Sequence, residues 1–146
     1  MRVAPLLLVA IMLIWAGLAL GGNTIAASAK FQVDDLTLGQ LLQVGRAQFA
    51  WLGIAEMVCA GLVVILAALA TGRVRMWAVA AVMLLGLQQF GLQPMLEART
   101  TLIISGTPAP HSALHLVFIL VEAAKTVLLL TGGIGHLVAI HRDLGG

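Results

Sequence analysis

The chain has 146 residues, 61% of them hydrophobic and only 10% charged, with a net charge of +2. A soluble domain carries about 25% charged residues, so this composition excludes an ordinary soluble fold and points to a single integral membrane domain. The charge is too small and too scattered for nucleic-acid binding, and the one cysteine, Cys59, forms neither an intrachain disulfide nor a CxxC redox pair.

Residues 3–29 carry no charge. A membrane-spanning helix needs about 20 apolar residues, and the first is predicted over about 3–25, with Pro5 in its first turn. Ala27-Ser28-Ala29 also reads as a signal-peptide cleavage site. The lone Arg2 and an apolar run longer than the usual h-region favour a retained span. Residues 31–46, FQVDDLTLGQLLQVGR, are more polar and are predicted to lie at the interface. There Asp34 or Asp35 would cap a short helix with Leu38, Leu41, Leu42 and Gly45 on one side.

The second span is predicted over 47–71, interrupted only by Glu56, and is followed by a tight basic turn at Gly72-Arg73-Val74-Arg75. The third, 76–96, is charge-free and ends in Gln88, Gln89, Gln93 and Pro94. Residues 97–111, EARTTLIISGTPAPH, read as a loop marked by Gly106, Pro108 and Pro110. The fourth span, 112–140, holds Glu122 and Lys125 near its middle. The fold class is therefore an all-α integral membrane four-helix bundle. Arg2, Arg73, Arg75 and Arg142 fall at one end, whereas Asp34, Asp35 and Glu97 share the other with Lys30, Arg46 and Arg99. That bias predicts both termini in the cytoplasm, in a bacterial inner (plasma) membrane. Trp51 and Trp77, near span starts, suit interfacial anchoring.

The polar residues share a depth. At 1.5 Å rise per residue, Glu56 lies roughly 13 Å below Ala47, Glu122 roughly 15 Å below Ser112, and Gln88 and Gln89 roughly 10–12 Å below Leu96. His111, His115 and Glu122 are spaced i, i+4, i+11 along one predicted stripe. A lone charge at mid-membrane costs about 2.5–3.5 kcal/mol or more. Glu56, Gln88, Gln89, His115, Glu122 and Lys125 are therefore predicted to form a buried polar layer. Within it Glu122 pairs with Lys125, and Glu56 is bonded to Gln88 or protonated. The layer serves either as interhelical glue or as a functional site. Gly17-x₃-Gly21, with Gly132 and Gly135 in the last span, are candidate helix-packing positions.

An intrachain bis-His haem is disfavoured. His111, His115, His136 and His141 all lie on the fourth span or its ends, and His115 and His136 stand roughly 31 Å apart along the helix. His111 and His115 form a possible metal clip for zinc or copper, with Glu97 or Glu56 completing the shell. No nucleophile motif, phosphate loop or carboxylate dyad stands outside the apolar segments, and a non-enzymatic protein is expected.

The tail GGIGHLVAIHRDLG is faintly similar to the haem- and quinone-binding anchor subunits of succinate dehydrogenase. Pro94-Met95-Leu96 with Arg99, followed by the loop and Leu114-His115, resembles a class of uncharacterised small four-span bacterial membrane proteins. That class is distantly like the copper-resistance D membrane domain. The resemblance implies the four-span architecture and a copper connection through His111 and His115. The expected role is an accessory or assembly subunit, or a homo-oligomer, whose partners are the lipid bilayer and other membrane subunits or itself. A proton-, metal- or small-ligand-binding or translocation protein is the alternative, and a redox or quinone-linked subunit the second.

Overall fold

The computed structural model describes residues 3–69 and 73–145. Arg2 and the predicted turn residue Gly72 lie outside the described residues. Among the described residues, four helices are long and apolar enough to cross a membrane. They are α1 (Val3–Gln32), α2 (Leu38–Leu69), α3 (Arg73–Ile104) and α4 (Leu114–Gly145). Each helix packs on its neighbour in sequence, and α4 closes the ring on α1. The result is an up-and-down four-helix bundle. One end carries the connections 33–37 and 105–113 and is called the loop end. The other, where α1 begins and α4 finishes, is called the terminal end.

The helices run further than the apolar stretches predict. Residues 31–46 do not form a separate short helix: α1 continues to Gln32 and α2 starts at Leu38. Neither Asp34 nor Asp35 caps α2. The signal is Thr37-x-x-Gln40, a capping box. Thr37 N and Oγ1 both donate to Gln40 Oε1, and Gln40 N donates back to Thr37 Oγ1 at 3.3 Å. Thr37→Ala should lower stability by about 0.5–2 kcal/mol. A thermal melt in detergent followed by circular dichroism tests this, and an unchanged melt would remove the cap from the account. Trp51, expected near a span start, lies well inside α2 as a result.

Most of the predicted loop 97–111 is helical too, because α3 does not stop at Pro94. Proline removes one helical hydrogen bond and crowds the carbonyl four residues back. A widened π-helical stretch, Leu87–Leu92, directly precedes Pro94 and absorbs the misfit. Gly106 then ends α3 at φ +74°, with Thr107 N donating to Leu102 O and Gly106 N to Ile103 O. Arg99 donates to the carbonyl of Pro110 and ties the following connection to α3. A second π-helical stretch, Ala19–Ala26, lies in α1.

The two halves of the bundle are filled differently. The half toward the terminal end is a dry core in which Met12, Val63, Ala78 and Leu129 are fully buried. Cys59 belongs to this core. Gly132 and Gly133 bring α4 close to Met12, Leu13 and Trp77. Gly132 meets Trp77 and Met12 inside the bundle, whereas Gly17, Gly21 and Gly135 have no neighbour within 4 Å in this chain. A glycine promotes close approach only on the face turned to another helix. The perimeter is apolar, with Trp51, Met83 and Phe90 largely exposed.

Candidate functional site

A polar cluster caps the dry core, and each helix contributes to it. Lys125 Nζ on α4 lies 2.7 Å from Glu56 Oε1 on α2 and 3.0 Å from Glu122 Oε2 one turn back on α4. Trp15 Nε1 on α1 donates to Glu56 Oε1 at 3.2 Å. Gln88 Nε2 on α3 donates to Glu122 Oε2 at 2.8 Å. The Lys125 ammonium also stands 5.9 Å from the centroid of the Trp15 ring, within cation–π range. Lys125 and Trp15 are fully buried, Gln88 is 1% exposed, Glu56 3% and Glu122 6%. Two carboxylates and one ammonium leave a formal charge of −1 when all three are ionised. Gln88 Oε1 and Glu122 Oε1 are buried with no hydrogen-bond partner. Such orphaned acceptors are rare in a finished core and call for an explanation.

The structure thus brings together Glu56, Gln88, Glu122 and Lys125 from the predicted layer and leaves Gln89 and His115 outside. Glu56 does not bond Gln88; its partners are Lys125 and Trp15, and Gln88 serves Glu122. Gln89 is rotated one helical step away and packs against Gly53 in a shallow surface groove. His115 is exposed in the first turn of α4. His111 lies before that helix, in the connection, so the predicted stripe from His111 to Glu122 does not form. Ser112 Oγ accepts from Leu114 N and starts the helix only there. Among the described residues, no three His, Cys, Asp or Glu side chains converge as metal ligands. Glu56, offered as a completing ligand, is taken up by Lys125.

Beside the cluster, and running from the level of Leu130 toward the loop end, lies a cavity of about 680 Å³ reached by all four helices. Glu122 and Thr126 line it at mid-depth, each 6% exposed. Lys30, Arg46, Glu97 and His115 stand around its mouth. Arg46 Nη2 donates to Thr101 Oγ1 at 2.7 Å, while its Nε is buried without a partner. Asn23 Oδ1, also on the cavity wall, is buried and unpartnered. The walls between are apolar and include Phe49 and Phe118, packed edge to face with centroids 5.9 Å apart.

Trp15 and Thr126 are the site residues that sequence reasoning passed over. The signal for Trp15 was an indole in the middle of an aliphatic first helix. Its N–H has to find an acceptor once buried. Thr126 follows Glu122 by four residues and so shares its face.

No family model, curated protein or solved structure matches the chain.

Proposed function

We propose that the chain is a non-enzymatic multi-pass membrane protein that binds a small ligand in the loop-end cavity, where Glu122 of the Glu56–Lys125–Glu122 cluster forms part of the wall. One observation carries this reading: near the terminal end the helices close on a buried apolar core, whereas from the level of Leu130 to the loop end about 680 Å³ stays open against the unpartnered Asn23 Oδ1 and Glu122 Oε1. Helices tied together only for register have no reason to leave one half unfilled. The volume falls within the roughly 300–1,000 Å³ of small-molecule sites, which combine apolar walls with a few placed polar groups. The π-helical stretches at Ala19–Ala26 and Leu87–Leu92 adjoin this region, and such widened turns recur at functional sites. In the sequence, Arg2, Arg73, Arg75 and Arg142 flank the spans on one side against Lys30, Arg46 and Arg99 on the other, an excess of one that supports an orientation with the cavity facing out of the cytoplasm, in the plasma membrane of a bacterium.

Filling the cavity tests the reading. Ala123 lines it from α4 and is exposed, so Ala123→Trp adds bulk without entering the core. Small molecules extracted from protein purified in mild detergent are compared by mass spectrometry for the two forms. The binding reading expects a stoichiometric species in the natural chain that falls at least tenfold in the folded variant, about 1.4 kcal/mol of lost affinity. Equal recovery from both would defeat it. That result would favour the accessory or assembly subunit, in which the cluster acts only to lock four helices in register.

A further inference from the structure

We propose that the cavity takes an anionic amphiphile from the surrounding bilayer, a lipid whose phosphate head sits between Lys30 and Arg46 and whose acyl chain runs down α4. This rests on the cavity being a ligand site and adds the class of ligand.

The lining is segregated by depth. Charged side chains occupy the mouth, and below them one stripe of α4 is purely apolar. Ile119, Ala123, Val127 and Leu130 line the cavity at i, i+4, i+8 and i+11, a run of about 16 Å at 1.5 Å per residue. Glu122 and Thr126 are turned from that stripe toward the bundle interior, and Glu122 Oε2 is held by Gln88 and Lys125. Glu122 Oε1, which has no partner, also borders the cavity, and a chain that follows the apolar stripe keeps to one side of it.

The cleft is also open sideways. Leu20, Ile119 and Val127 line it and are 41%, 49% and 59% exposed on the perimeter of the bundle. Near the terminal end α1 and α4 touch at Gly132 and Gly133. Toward the loop end they contact each other sparsely, and the cavity lies between them. An ion or polar solute would have no use for a lateral apolar slot, whereas a lipid chain enters by one.

The mouth supplies the charge. Among the described residues Lys30 Nζ makes no hydrogen bond or ion pair. It is held 5.2 Å from the Phe31 ring centroid and 5.4 Å from that of Phe49. A Cβ at Gly45 would overlap it, so the glycine makes room for the ammonium. Arg46 keeps its Nε unused while Thr101 and the Glu97 carbonyl fix its other end. The Glu97 carboxylate stands on the rim and offsets one of the two cations, His115 adds none when neutral, and Asp34 and Asp35 lie in the adjoining connection without lining the cavity. The balance at the mouth is positive.

The test reconstitutes the full chain in bilayers of equal phosphatidylglycerol and phosphatidylcholine and counts retained lipids by native mass spectrometry. Each basic group beside an anionic head is worth roughly a fivefold gain. One retained phosphatidylglycerol per chain is expected, favoured over phosphatidylcholine by up to about 25-fold. Lys30→Gln should reduce that preference about fivefold, and Lys30→Gln with Arg46→Gln should abolish it. Ala123→Trp should expel both lipids, and Ala27→Phe, filling the slot from α1, repeats that test should the first variant misfold. Equal retention of the two lipids, still abolished by the filling variants, would overturn the anionic head and leave the cavity reading standing. Displacement of the lipid by inorganic phosphate would overturn the acyl-chain component. Lipid counts that no variant changes would overturn both this assignment and the ligand site beneath it.

Discussion

Lys125→Met should destabilise the bundle by about 3–5 kcal/mol, the loss found when one partner of a buried ion pair is removed. The ammonium is fully buried and is shared at 2.7 and 3.0 Å by two carboxylates. Without it, Glu56 keeps only the Trp15 indole and Glu122 only the Gln88 amide. Two like charges would then face each other with no counter-ion, in a medium that screens them poorly. Reversible unfolding in mixed micelles measures the effect. Glu56→Gln placed in the Lys125→Met background should recover part of the loss, because it removes one of the stranded charges. The same substitution in the natural chain should instead destabilise, and that reversal of sign is the signature of a coupled pair. A loss of under about 1 kcal/mol for Lys125→Met, the range of an exposed ion pair, would mean that water from the cavity solvates the cluster and that it does not hold the helices together.

Gly132→Val should cost about 1–3 kcal/mol, the usual penalty of overpacking. A Cβ at Gly132 would lie 2.6 Å from Trp77 Cβ and 2.8 Å from Met12 Cε. The methionine methyl can swing aside. Trp77 Cβ is fixed to the backbone of α3, so α3 and α4 must separate. In an apolar solvent, helices are held by close packing and polar contacts, with no hydrophobic drive to restore a lost fit. The same separation would strain Lys125, two turns away on α4. The combined Gly132→Val, Lys125→Met protein should therefore lose less than the sum of the single losses. Gly135→Ala and Gly17→Ala are the matched controls, since neither glycine has a neighbour within 4 Å. Each should leave stability unchanged or raise it by up to about 1 kcal/mol through better helix propensity. Equal losses at Gly132 and Gly135 would show that glycine acts there through backbone flexibility, and the close contact would drop out of the account.

Composition pointed to apolar helices, and the polar breaks between the apolar stretches divided them into four. Helical rise is constant, so counting residues from the apolar ends put Glu56, Gln88, Gln89 and Glu122 near one level, with Lys125 a turn deeper. The cost of a charge in lipid turned them inward. Helix ends were harder to read, because hydropathy reports apolar length and not helix length. The true stops were written in local chemistry, the Thr37–Gln40 box and the left-handed Gly106. Azimuth and tilt were beyond reach. Which carboxylate meets Lys125, why Gln88 enters the cluster while Gln89 does not, and why Gly132 packs where Gly17 does not all depend on the rotation of one helix against another. That rotation is settled by many side chains at once. The indole of Trp15 and the slot between α1 and α4 belong to the same class, since a cavity is the space that packed helices leave between them and no single segment encodes it.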